Sequence, residues 1–165
     1  IGIAPFAAHK GKIYPLEKME QTIEQLIKAY PSCRIFFFGG GGKERETLDS
    51  WAQRYANCTN ASAVLGGMRN ELILMSHLDV MISMDSGNMH LASLVGTKVV
   101  SIWGATHPYA GFMGWNQSEE NAVQLDMACR PCSVYGNKPC LRGDYACMND
   151  IRPEMIVAKI KQLFN

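Results

Sequence analysis

With 165 residues the chain has the length of one ordinary domain and can bury a real core. Its hydrophobic share of 47% and mean hydropathy of -0.08 are those of a soluble globular protein; no apolar run approaches the roughly 20 residues that span a bilayer, and no signal peptide precedes the first strand. A formal charge of +1 is too balanced for nucleic-acid binding by bulk electrostatics, so any bound anion has to be held locally.

The sequence opens at Ile1 rather than Met, directly in a strand-like run, and reads as an excised part of a longer protein. Ile1-Gly2-Ile3-Ala4 is a first strand cut off by Pro5. A polar loop with Lys10 and Lys12 follows, then a helix in which Leu16, Met19, Ile23, Leu26, Ile27 and Tyr30 form one apolar stripe stopped by Pro31. Ile35-Phe36-Phe37-Phe38 is apolar on both faces and predicts a central strand. The glycine run Gly39-Gly40-Gly41-Gly42-Lys43 is not a P-loop: Phe37 stands where the motif needs its first glycine, and Glu44 where it needs Ser or Thr. It remains a flexible turn at the C-terminal end of a strand, suited to close backbone approach to a ligand. The spacing of Leu48, Trp51, Ala52 and Tyr55 predicts an amphipathic helix from Glu44 to Tyr55.

A short strand is predicted within 57–65, and after Gly66-Gly67 a helix through Leu72, Ile73, Met75 and Leu78 with Asn70 as its cap. His77 reads as a packed or surface histidine rather than a ligand. The most informative stretch comes next. Val80 to Met84 has strand length and gives way to Asp85-Ser86-Gly87-Asn88-Met89-His90; a short helix capped by Gly96 follows, and Val99 to Trp103 is a β-branched strand ending in Gly104-Ala105-Thr106. A right-handed crossover makes the two strands parallel neighbours, with both exits on the sheet edge where open α/β sheets bind ligands. Lys10 and Lys12 leave the first strand at that same edge. The Asp-Ser-Gly turn suits an anion, because the helix starting there presents unpaired N–H groups; Asp85 or Ser86 acting only as a helix cap is the competing reading.

Tyr109 to Gln117 is a long loop rich in glycine and aromatic residues, in which a buried Trp115 serves as anchor; stacking on a base or sugar is the alternative. Ala122 to Leu125 adds a last strand, and Pro153 opens a closing helix. Between them, in segment 126–150, Cys129, Cys132, Cys140 and Cys147 fall within nineteen residues. The first pair has metal-knuckle spacing and the second is looser, so reduced structural thiols, a structural zinc on the tetrad and disulfides all stay open.

Asp85-Ser86-Gly87-Asn88-Met89-His90-Leu91-Ala92, with Gly96 and the run from Val99 to Thr106, resembles the signature of the ADP-heptose:lipopolysaccharide heptosyltransferase family, glycosyltransferase family 9. Lys12-Ile13-Tyr14-Pro15 is similar to that family's Lys-x-Trp-Pro segment with Tyr14 in place of Trp; Phe38-Gly39-Gly40 and the late cysteine cluster are also similar, and Ala105 stands where members often have proline. The resemblance spans nearly the whole chain. It implies an α/β fold, a Rossmann-like parallel sheet with helices on both faces, forming the C-terminal half of a two-domain GT-B enzyme.

By the same resemblance, residues 1–165 are a single nucleotide-sugar-binding domain. Lys12 contacts the donor phosphates, Asp85, Ser86 and Gly87 hold the diphosphate and sugar, His90 orients that turn, and Gly104 and Thr106 line the crevice, with Gly39 and Gly40 at its side. No cofactor is required: helix dipole and basic side chains neutralise the departing diphosphate in place of a divalent metal. The general base, the acceptor site and so the activity reside in the missing N-terminal domain, and the fragment alone binds donor and transfers nothing. The implied acceptor is a lipid-linked saccharide, which makes the protein cytoplasmic and peripheral at the inner face of the cytoplasmic membrane. A non-catalytic binding module holding a partner protein, and a nucleotide-sugar epimerase, are the alternative functions.

Overall fold

Every strand but one is followed by a helix that returns the chain to the starting edge, and that connection makes neighbouring strands parallel. In the computed structural model, which describes residues 1–164, β1 (Gly2–Ala4), β2 (Ile35–Phe37), β3 (Cys58–Asn60), β4 (Met81–Met84), β5 (Val99–Ile102) and β6 (Ala122–Val123) form one six-stranded sheet. The order is β3-β2-β1-β4-β5-β6 and every pairing is parallel, with Ile3 opposite Phe37 on one side and Ile82 on the other. The chain therefore winds outward from β1 to β3, then returns to place β4 against the free side of β1. The crevice between the exits of β1 and β4 is the topological switch point of the sheet, where such folds bind ligands.

Side-chain alternation gives the sheet two unlike faces. Ile3, Ile35, Phe37, Ile82, Met84, Val100 and Ile102 pack beneath α1 (Leu16–Ala29), α2 (Lys43–Arg54) and α7 (Pro153–Phe164), which follows the one-turn α6 (Ala146–Asn149), as one core of bulky residues. The opposite face carries Gly2, Ala4, Met81, Ser83, Val99 and Ser101, against which α4 (Met68–Ser76) and α5 (Gly87–Leu94) lie with Met75, Met89 and Ala92. The two inward serines are satisfied: Ser83 Oγ donates to the Met84 carbonyl at 3.0 Å, and Ser101 Oγ accepts from Trp103 Nε1 at 2.8 Å. Among the described residues no helix is long and apolar enough to cross a membrane.

Several local expectations hold and others shift. Gly96, at φ 83, follows α5 as its left-handed cap, with its N–H on the Ser93 carbonyl. The predicted strand in 57–65 ends at Asn60, whose side chain accepts from the Ala63 amide and starts the short α3 (Ala61–Val64). Asn70 does not cap α4: the helix begins at Met68 behind Gly67 at φ 135, and Asn70 Nδ2 donates to the Leu65 carbonyl instead. His77 is exposed at the end of α4. Trp115 is not an anchor, being 75% exposed at the edge of a hollow where β5 begins.

Cys58 lies inside the core under α2, and burial pushes its thiol from the ordinary 9.0 up to about 12. The fold thus favours the neutral thiol. Its contribution is complete below the unfolded value and is lost as pH rises from 9.0 towards about 12. Denaturant melts taken across the alkaline range are expected to show a shallower loss of stability with pH in Cys58→Ala than in the parent; equal slopes would contradict this.

Candidate functional site

The exits of β1 and β4 meet as the sheet order requires. After β1 the chain makes a 3-10 turn over Lys10–Lys12, and Lys12 Nζ lies 3.0 Å from Asp85 Oδ2 at the end of β4. Thr106, leaving β5, donates its hydroxyl to the same Oδ2 at 2.8 Å. Asp85 and Thr106 are buried, and the Lys12 side chain is 15% exposed, so its ammonium still meets solvent. The carboxylate is thus an anchor joining three strand exits, and the lysine is the partner that faces out.

Directly after Asp85, α5 starts with Ser86 in an extended conformation, and the Ser86 side chain makes no cap bond. Its hydroxyl lies 3.3 Å from Ser83 Oγ, and Asp85 is already committed to Lys12 and Thr106. The cap reading of the Asp-Ser-Gly turn therefore does not hold. The amides of Gly87 and Asn88 find no acceptor among the described residues, and Gly87 is exposed. A cavity of 270 Å³ opens over them, lined by Phe6, Ala7, Ala8, Glu44, Ser86, Gly87, Asn88 and Leu91. Unpaired N–H groups at the positive end of a helix suit an anion; the lysine nearest them is Lys12, held on Asp85 just ahead of the turn, while the cavity lining itself carries the acidic Glu44.

The remaining expected site residues fall around this centre in different ways. His90 sits one turn along α5 from Gly87 and is half-buried. Gly40 donates its N–H to Glu44 Oε2 at 2.7 Å and Gly39 to Ser62 Oγ at 3.1 Å, so both amides are occupied. Gly39 is a glycine for packing, since a Cβ there would stand 2.8 Å from Leu48 Cδ1. Gly104 is buried: a Cβ would be 2.6 Å from the Gly11 carbonyl oxygen and 2.5 Å from Met148 Cγ. Its smallness lets the lysine-bearing turn lie against β5, where the Ala105 N–H donates to that same Gly11 carbonyl at 2.9 Å. Tyr14 points into the core, its hydroxyl donating to the Ile151 carbonyl at 3.0 Å, and burial pushes its pKa up.

Two residues that sequence reasoning passed over stand next to the site. Arg130 is half-buried and pairs with no carboxylate among the described residues; its guanidinium donates to the carbonyls of Trp103, Gly104, Thr106 and Leu125 and to Gln124 Oε1. Burial lowers its pKa. Gly136, at φ 71, packs on Lys12 and Thr106. The only sequence signal for either was membership of the cysteine segment. All six cysteines are unpaired, and among the described residues no three His, Cys, Asp or Glu side chains converge closely enough to hold a metal ion, so Cys129, Cys132, Cys140 and Cys147 are not gathered as a metal tetrad. Within the segment, backbone N–H groups of Tyr145, Arg142 and Gly143 lower the Cys140 thiol pKa.

Comparison with known proteins bears on what this arrangement does. The profile described as Glycosyltransferase family 9 (heptosyltransferase) matches residues 1–140. Lipooligosaccharide heptosyltransferase 2 of Campylobacter jejuni is 30% identical over 139 residues, a match covering 80% of this chain and 42% of that protein. The structure of E. coli ADP-heptose lps heptosyltransferase II superposes with a TM-score of 0.73 at 19% identity, over 98% of this chain and 45% of the other. E. coli heptosyltransferase WaaC with ADP gives 0.67 at 17% identity, over 98% and 43%. The structural likeness shows a shared Rossmann-like fold, and the chain spans somewhat under half the length of the proteins it matches.

Proposed function

The chain belongs to glycosyltransferase family 9, the heptosyltransferases, and from that premise we propose that it is the donor-binding, C-terminal half of a two-domain GT-B enzyme. That enzyme moves heptose from an ADP-heptose-like donor to a lipopolysaccharide-type acceptor. The observation that supports this reading best is the Lys12–Asp85–Thr106 cluster beside the uncapped start of α5. The diphosphate sits across Lys12 Nζ and the amides of Gly87 and Asn88, with Ser86 within reach through its hydroxyl.

Transfer breaks the bond between the anomeric carbon and the donor phosphate, leaving negative charge on the departing diphosphate. Lys12 and the α5 N-terminus meet that charge as it develops, and they do so without reorganising, because Asp85 and Thr106 fix the lysine beforehand. No divalent cation is needed for this neutralisation. Gly39 and Gly40 contribute close approach of the β2 exit, His90 supports the turn from within α5, and Gly104 and Thr106 act from behind, on the lysine turn and on Asp85. The group that deprotonates the acceptor hydroxyl belongs to the N-terminal domain of the same protein, as does the acceptor site. A lipid-linked saccharide acceptor puts the enzyme at the inner face of the cytoplasmic membrane, in peripheral contact. The relatives lend no support to an epimerase or to a non-catalytic module.

Calorimetric titration of the full-length protein with ADP and with UDP tests the reading. ADP is expected to bind at least about tenfold more tightly than UDP, a difference of roughly 1.4 kcal/mol or more. No binding of either nucleotide would sink the donor site, and a clear preference for UDP would remove heptose.

A further inference from the structure

The segment from Arg130 to Tyr145 runs over the lysine turn, and ten of its sixteen residues are exposed; between Pro131 and Cys140 the one buried residue is Gly136. Its burial is against the site. A Cβ built on Gly136 would stand 2.8 Å from both Cγ and Cδ of Lys12 and 3.1 Å from the Thr106 methyl. The backbone of the segment therefore lies flat on the lysine stem and on the residue that shares the Asp85 carboxylate oxygen with it. A Cβ there would force the Lys12 stem to shift, and φ 71 independently favours glycine.

The segment is held at both ends by bonds to the elements that carry the site. Upstream, Arg130 Nη2 donates to the Thr106 carbonyl at 2.9 Å, and the Cys132 N–H donates to the Ala105 carbonyl at 2.8 Å. Downstream, Lys10 Nζ lies 4.8 Å above the ring of Tyr145, which ties the segment to the turn that bears Lys12. A lysine stem has four rotatable bonds, and an unheld one spreads its ammonium over many positions. Here the stem has a floor of β-strand exits and a roof of Gly136 backbone.

We propose that this segment is a strap that positions Lys12, so that Gly136 and Arg130 set donor affinity without touching the donor. The inference rests on the donor reading above. Pre-fixing the lysine spares the rotamer entropy that binding would otherwise cost, which corresponds to about a tenfold gain in affinity.

A double-mutant cycle on the full-length protein, read as ADP affinity by calorimetry, tests the strap. Lys12→Ala is expected to weaken ADP at least about tenfold, the loss of one charge-assisted contact. Gly136→Ala is expected to weaken it about tenfold, by crowding the stem. The double variant is expected to bind within about twofold of Lys12→Ala alone, because with the stem gone the added methyl loses the two atoms it crowds most and keeps only the Thr106 methyl at 3.1 Å. Val134→Ala, on the exposed side of the same segment, is expected to bind as the parent does. Additive losses in the double variant, or unchanged affinity in Gly136→Ala, would overturn the strap. Unchanged affinity in Lys12→Ala would instead overturn the donor reading. If Gly136→Ala does not fold, Arg130→Lys enters the same cycle, since an ammonium cannot reproduce the forked contacts that fasten the strap.

Discussion

Asp85→Ala is expected to lower both stability and ADP affinity, the former by about 3 kcal/mol, the lower end of the cost of breaking a buried ion pair. The lower end applies because the Lys12 side chain is 15% exposed and can turn partly to water, whereas Thr106 is fully buried and its hydroxyl loses its acceptor outright. In a domain of this length such a loss shifts the melting temperature by roughly 6–12 °C. For ADP two effects oppose each other. Removing a carboxylate near the diphosphate raises affinity, while releasing the lysine and the Asp-Ser-Gly turn lowers it. The second prevails, since the Asp85 charge is already met by an ammonium at 3.0 Å and repels little at a distance. The net loss is expected to be at least about tenfold. Asp85→Asn, which keeps an acceptor for Thr106 but no charge for Lys12, should fall between the variant and the parent. A thermal melt and a titration on the same samples check both, and a parent-like melting temperature in Asp85→Ala would remove the carboxylate from its role as anchor.

Gly104→Ala is expected to be as damaging, for a steric reason. Of the three atoms its methyl would strike, Met148 Cγ and Cε belong to a side chain that has to repack, but the Gly11 carbonyl oxygen at 2.6 Å is backbone and accepts the Ala105 N–H. Relief requires the lysine turn to lift off β5, so the variant should lose about 3 kcal/mol, the upper part of the usual range for overpacking, and should bind ADP poorly because Lys12 moves with the turn. Gly41→Ala is the matched control: nothing lies within 4 Å of the position and its φ is ordinary, so its melting temperature should stay within about 2 °C of the parent. Equal melting temperatures for Gly104→Ala and the parent would mean that the close approach of turn and strand does not matter.

The parts of this arrangement that were legible in the sequence are those governed by short-range pattern. Val80 to Thr106 spells strand, turn, helix and strand in order, and parallel topology then obliges Lys12 and Asp85 to share an edge. The pairing of the lysine with the carboxylate needed the sheet order, because β4 lies beside β1 although nearly eighty residues separate them. The strap was illegible for a different reason: segment 126–150 has neither helical nor strand period, and Gly136 and Arg130 owe their positions to contacts with residues far along the chain. Trp115 was misread because a large apolar residue in a loop is usually buried, whereas here Gln117 does the anchoring by bonding both Val99 N–H and the Thr97 carbonyl. Asn70 was misread because two glycines at positive φ, Gly66 and Gly67, start α4 early.

The unlike faces of the sheet give mutations two different fates. On the side of α1, α2 and α7, trimming a bulky side chain opens a void, and the harm is registered by the whole molecule as lost resistance to unfolding. On the side of α5 the strand positions Ala4, Ser83 and Ser101 are small although Met81 and Val99 share the face, so harm at those three comes from enlargement: a bigger group pushes outward on the very helix whose first amides are unpaired. Variation drifting through this domain should therefore sort by direction of size change, with shrinkage penalised as fragility and growth penalised as a blunted grip on nucleotide.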